Sequence, residues 1–92
     1  MTIARVVHIS GLTGEPSEEV IKAIDAIRTS DGCEGMYAFR KGQASDGMSV
    51  SLWRDKEALD QAMGTIKAAN EAAIERGLTI TSAEVYDVVA QR

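Results

Sequence analysis

This chain is poor in the residues that usually advertise chemistry. It has one cysteine, one histidine, one proline and four aromatic side chains among 92 residues. A single cysteine, Cys33, excludes an internal disulfide framework and any metal cage built from cysteines alone. Its neighbours Gly32 and Glu34 offer no cation to activate it, so it reads as a small half-buried thiol in a reducing compartment. Basic charge is also scarce. Ten Lys and Arg face fourteen Asp and Glu, for a net charge of −4. The basic residues are scattered, which argues against nucleic acid, because neutralising phosphates needs a basic face. Arg40-Lys41 reads as a solvated hairpin tip. No long apolar run exists: Val6-Val7 is bounded by Arg5 and His8, far short of a secretory core or a membrane span. The expected location is the cytoplasm, with no membrane partner.

Phosphate and nucleophile motifs are missing too. Gly11-Leu12-Thr13-Gly14 lacks the third glycine and the lysine of a phosphate loop and reads as a turn. No nucleophile elbow surrounds any serine, and one histidine cannot serve both a metal and a triad. No metal site is expected.

What is present is a regular alternation of elements within one 92-residue domain, residues 1–92. Ile3–Ser10 reads as a strand rich in β-branched residues. Pro16 fits a first helical position, Glu18 and Glu19 suit the positive end of a helix, and Val20, Ala23, Ile24 and Ile27 form its apolar stripe. That helix stops near Ser30-Asp31-Gly32. Gly35–Arg40 is a second strand and Lys41–Gly47 a polar hairpin loop. A third strand ends at Trp53, and Asp55 caps the following helix. The second stripe runs Leu59, Met63, Ile66, Asn70, Ala73 and Ile74, with a kink or break expected at Gly64 and an end at Gly77. Ile80–Ala90 is the last strand. The order βαββαβ with right-handed crossovers gives a ferredoxin-like α+β fold: a four-stranded antiparallel sheet with both helices on one face.

Helices cover one sheet face, yet these strands are apolar on both. Val6 sits beside Val7, Met36 beside Tyr37, and Val88 beside Val89. An open face of that composition exceeds the few hundred Å² of apolar patch usual for monomers, roughly. A second copy packed sheet to sheet is the economical cover, so a homodimer is expected.

The third strand holds the most informative pattern. Ser49, Ser51 and Trp53 share one face, small, small, then large, while Met48, Val50 and Leu52 share the other. That suggests a cavity walled by an indole, although a strand-end tryptophan also serves as a core anchor. His8 is the one side chain that titrates near neutrality unaided and is the candidate base, provided it faces the helices. Asn70 interrupts the second stripe and must find a partner or reach water. Tyr37 and Tyr86 could donate phenolic hydrogen bonds or simply pack.

Three segments carry a family resemblance: Gly32-Cys33-Glu34-Gly35-Met36, Leu52-Trp53-Arg54-Asp55-Lys56-Glu57-Ala58-Leu59, and Glu84-Val85-Tyr86-Asp87-Val88-Val89. Together they resemble the antibiotic biosynthesis monooxygenase superfamily of dimeric α/β barrels. The resemblance implies that Ser49, Ser51 and Trp53 face the helices and that Trp53 lines a pocket. It implies an oxygenase needing no cofactor, in which a deprotonated substrate gives an electron to oxygen while hydrogen bonds stabilise the anion. The quinone-forming members carry an asparagine four residues before that tryptophan and a tyrosine six after it. Here those positions hold Ser49 and Leu59. The haem-degrading members use a first-strand asparagine, with a tryptophan and a histidine on the second helix. This chain has Ala62 and Ala72 near those helix positions, and its histidine on the first strand, so haem degradation is not expected.

The sequence therefore points to a cytoplasmic homodimer that binds a small apolar or aromatic, polyketide-like molecule between helices and sheet. Trp53 would stack on it and His8 act as base or polariser. Ser51 and Asn70 would donate hydrogen bonds, with Ser49 and Tyr37 lining the pocket. The alternative is a non-catalytic dimeric binding or accessory module on the same fold. An RNA-binding domain of the same element order fails on charge and on the third strand, which lacks stacking aromatics. An amino-acid-sensing regulatory domain would normally be attached to an enzyme.

Overall fold

The alternating apolar pattern does fold as strands around two helices. In the computed structural model, which describes residues 1–42 and 44–92, the order is β1 Ile3–Ser10, α1 Glu18–Arg28, β2 Cys33–Arg40, β3 Gly47–Trp53, α2 Lys56–Glu75 and β4 Thr79–Asp87. The four strands form one antiparallel sheet in the order β2-β3-β1-β4. This is the ferredoxin-like α+β fold. Among the described residues, no helix is long and apolar enough to cross a membrane.

Local chemistry sets the helix ends. α1 begins two residues later than Pro16 suggests, because Ser17 takes the cap: its Oγ accepts from the Val20 N–H at 3.3 Å. Asp55 caps α2 as its position implies, accepting from the Ala58 N–H at 2.8 Å. α2 closes in a Schellman arrangement: the Leu78 N–H reaches the Ala73 carbonyl and the Gly77 N–H that of Ile74, with Gly77 at φ 91°. Between α1 and β2, Gly32 at φ 82° sits against Ala58, and its carbonyl accepts from the Arg54 N–H at 2.8 Å. That turn fastens the start of β2 to the end of β3.

α2 does not break at Gly64. α2 runs unbroken over 20 residues because Ala58, Leu59, Ala62 and Ile66 are buried along one stripe, and tertiary packing holds the helix where propensity is weak. The stripe is also rotated from its expected line. Alanines at 58 and 62 let the helix approach the sheet closely, and Met63 and Ile74 turn outward, 39% and 54% exposed. Gly64 is exposed, and a methyl group added there meets nothing within 4 Å. Gly64→Ala should therefore stabilise the fold by about 1 kcal/mol. In a thermal melt followed by circular dichroism that corresponds to a rise of roughly 4–8 °C.

Register sorts the side chains. Antiparallel partners share a face, so the pairs Ile3↔Trp53, Val7↔Ser49 and Ala38↔Ser49 put these residues on one side. That side meets the helices: Ile3, Trp53, Ile27, Ala58, Leu59, Ala62 and Ile66 form the buried cluster. The other side carries Val6, His8, Met48, Val50, Leu52, Tyr37 and Phe39, with no helix over it. Bulges interrupt two ladders: Glu34 of β2 is skipped between the pairs Cys33↔Trp53 and Gly35↔Leu52, and Thr81 of β4 between His8↔Ser82 and Ile9↔Ile80, each shifting the alternation by one residue.

β4 is shorter than Ile80–Ala90. The ladder stops at Asp87, and beyond it only the Val88 N–H reaches back, to the Thr2 carbonyl at 2.9 Å.

Candidate functional site

The helices part from the sheet at the end of the molecule opposite Trp53. β1 and β3 present Val7, Ile9 and Ser49 there, α1 presents Val20, Ala23 and Ile24, and α2 presents Ala69, Asn70 and Ala73. The result is a cavity of about 460 Å³, roofed by the Gly11–Ser17 loop and bordered by Arg40 and Arg76. This volume lies within the roughly 300–1,000 Å³ of small-molecule sites. It exists because the residues facing one another are small: Ala38 and Ser49 on the sheet, Ala23, Ala69 and Ala73 on the helices.

Ser49 and Asn70 bring polar atoms into this apolar space. Both are half-buried, and neither side chain has a hydrogen-bond partner among the described residues. At the exposed end, an Arg40 guanidinium nitrogen donates to the Gly14 carbonyl at 2.9 Å, while Arg76 pairs with Glu19 at 2.7 Å. The loop is tied down a second time by the Leu12 N–H, which donates to the Ser45 carbonyl at 3.0 Å.

Of the residues singled out in the sequence, the cavity gathers Ser49 and Asn70. Trp53 is elsewhere. Its indole is fully buried in the core and its Nε1 donates to Ser51 Oγ at 2.9 Å. The small, small, large pattern thus divides into two arrangements. Ser51 is small because the indole folds back along the strand onto it, and Ser49 is small where the cavity opens. Neither Trp53 nor Ser51 borders the cavity.

His8 and Tyr37 need a larger correction. His8 pairs with Met48 and Ser82, and Tyr37 with Val50, which puts both on the open face, away from the helices. There Tyr37 stacks on Phe39 with ring centroids 6.0 Å apart, and both are 52% exposed. His8 borders a shallow groove with Phe39, Met48, Ser82 and Glu84. The alternation of β1 allows His8 or Val7 to face the helices, and Val7, the more apolar, takes the buried side. A base acting inside the cavity therefore cannot be His8 in this register.

Arg40 is the cavity residue that the hairpin-tip reading missed. The signal was available, because Arg40 shares parity with Met36 and Ala38 on β2 and so belongs to the helix-facing side.

Electrostatics mark two positions outside the cavity. Arg5 lies on the helix-facing side of β1, paired in register with Ser51 and Val85, and burial pushes its guanidinium below the usual arginine range. Glu84, two residues from Tyr86 and on the same face of β4, favours the protonated phenol and holds its pKa up. Among the described residues, no three His, Cys, Asp or Glu side chains gather where a metal ion could be held.

The fold itself has solved counterparts. SnoaB, a cofactor-independent oxygenase from Streptomyces nogalater, superposes with a TM-score of 0.75 at 16% identity, over 98% of this chain and 95% of that one. The fold is that of antibiotic biosynthesis monooxygenase-like proteins. Rv0793 from Mycobacterium tuberculosis matches with a TM-score of 0.73 at 14% identity, over 99% of this chain and 98% of its own. A candidate antibiotic biosynthesis monooxygenase from Deinococcus radiodurans gives 0.70 at 16% identity, over 100% and 96%. No protein-family model and no curated protein sequence matches the chain. The resemblance noted in the sequence thus holds for the fold, which by itself carries many activities.

Proposed function

We propose that this chain forms a cytoplasmic homodimer through its open sheet face and binds a small aromatic or polyketide-like molecule in the cavity between helices and sheet. It then acts as an oxygenase of the cofactor-independent kind. The observation that carries this reading is the cavity: about 460 Å³, mostly apolar, with the uncommitted polar side chains of Ser49 and Asn70 on its walls. Such a lining accepts a planar apolar body and fixes it by a few hydrogen bonds.

The chemistry asks little of the protein beyond binding. A substrate CH₂ flanked by aromatic or carbonyl groups loses a proton, and the carbanion passes one electron to O₂. The two radicals combine to a hydroperoxide, which loses water to leave a carbonyl. Ser49 and Asn70 stabilise the enolate oxygen formed in the first step by hydrogen bonding. Glu15 is the carboxylate on the cavity lining and is the group available to take the proton. Support for oxygenase chemistry comes from the shared fold with SnoaB, described as a cofactor-independent oxygenase.

A second reading, a dimeric binding module without turnover, is favoured by specific residues. The one histidine faces away from the cavity, and the position six residues after Trp53 holds Leu59, which is buried in the core. Oxygen uptake with 1,8-dihydroxyanthrone separates the two. Turnover above the uncatalysed rate, reduced roughly 10²-fold or more in Asn70→Ala, supports the oxygenase. Binding of the anthrone with no added uptake supports the module. Absence of binding removes both.

A further inference from the structure

The cavity is charged against the sign of the molecule. The chain has a net charge of −4, yet the cavity lining carries two guanidinium groups, Arg40 and Arg76, and one carboxylate, Glu15. The two cations differ in what they already hold. Arg76 is paired with Glu19 at 2.7 Å, so its charge is met. Arg40 has a single neutral partner, the Gly14 carbonyl at 2.9 Å, and no ion pair among the described residues. A guanidinium presents five N–H donors in a planar fork, and one carbonyl leaves most of that fork and all of its charge unanswered.

Its position in the sheet is equally informative. Ala38 pairs with Ser49 across the ladder, and Arg40 follows Ala38 by two residues on the same face of β2. The sheet floor of the cavity therefore runs from apolar Val7 through Ser49 and Ala38 to a cation at the exposed end. That sequence of surfaces matches a molecule with an apolar body and an acidic end.

We propose that the ligand of this cavity is an organic acid, its aromatic body lying between the helices and the sheet and its carboxylate held by the fork of Arg40 at the mouth. The proposal rests on the cavity being the binding site, and it adds the charge and the orientation of the ligand. A carboxylate is a stronger acceptor than the Gly14 carbonyl and can take two N–H groups at once. Binding then exchanges a bond to the β1–α1 loop for one to the ligand, or shares the fork between them. Arg40 is a specificity-determining residue here, since a neutral molecule of the same shape gains only the weaker, uncharged hydrogen bond from it.

The test compares 2-naphthoate with methyl 2-naphthoate by calorimetric titration on the full chain. These probes share a body and differ in charge. The unaltered protein should bind the acid at least roughly tenfold more tightly than the ester. Added salt should narrow that gap, because Arg40 is exposed and its charge is open to screening. In Arg40→Gln the ratio of acid to ester affinity should collapse to near parity, and Arg40→Lys should restore part of it. Arg40→Gln folds as before if its circular dichroism matches, as an exposed strand-end position allows. Equal binding of acid and ester overturns the proposal and leaves the cavity as the binding site. A preference that survives Arg40→Gln removes Arg40 from the role. If neither probe binds at millimolar concentration, the cavity reading falls together with the proposal.

Discussion

Trp53→Ala should cost about 3–5 kcal/mol of folding free energy, the range for emptying a fully packed aromatic site. A domain of this size commands about 5–15 kcal/mol in total, so the variant should be largely unfolded at modest urea concentrations. The size of the effect follows from position. Trp53 is fully buried and belongs to one cluster with Ile3 of β1, Ile27 of α1, and Leu59 and Ile66 of α2. It is also the last residue of β3, two positions before the cap of α2, so a void there loosens strand and helix together.

Smaller changes divide the indole into its packing and its hydrogen bond. Ser51→Ala leaves a buried N–H without its acceptor and should cost about 1–3 kcal/mol. Trp53→Phe keeps most of the packing. The double variant should cost less than the sum of the two, because the unmatched donor and the unmatched hydroxyl disappear together. Urea unfolding followed at 222 nm measures all four proteins. The same set addresses function. Trp53 lies outside the cavity lining, so Trp53→Phe should leave naphthoate binding unchanged. A substantial loss of affinity would instead make the indole a wall of the ligand site.

How much of this was legible beforehand depends on which physical constraint decides each feature. Element order was readable because caps and alternation are local: Asp55, Gly77 and the parity of β3 act within a few residues. Gly64 misled because propensity is local while the burial of Ala58, Leu59, Ala62 and Ile66 that keeps α2 continuous is not. The faces of β1 were ambiguous for the same reason. Alternation separates Val7 from His8 but does not label either side, and the label comes from where the helices land. The strand of Ser49, Ser51 and Trp53 shows the limit most clearly. Small residues beside a large one signalled unfilled volume, and volume there is. It opens beside Ser49, while the space over Ser51 is filled by the indole itself, since an i, i+2 neighbour on one strand face lies within reach of a ring that size.

Val50→Asp should raise the dissociation constant of the proposed dimer about a thousandfold or more, a change of roughly 4 kcal/mol. Val50 is the middle of the open face, with Val6 on one side and Tyr37 on the other. Half-buried in a single chain, it would become fully buried when a second sheet covers it. Two-fold symmetry places two new carboxylates in one apolar interface, each costing several kcal/mol to desolvate without a partner and each repelling the other. Sedimentation velocity at tens of micromolar should show a dimer for the unaltered chain and a monomer for the variant. Gly64→Ala, exposed on α2, should remain a dimer and serve as the control. A monomeric unaltered chain would remove the dimer from the proposed function and leave Tyr37, Phe39 and Tyr86 needing another cover. The two sides of β3 also make the variant informative about the site. Ser49 and Ser51, flanking position 50, face the helices, on the side of the sheet away from the proposed interface. A Val50→Asp monomer should therefore still bind naphthoate with little change. Loss of binding on monomerisation would mean that the second sheet holds β3, and with it the cavity floor, in place.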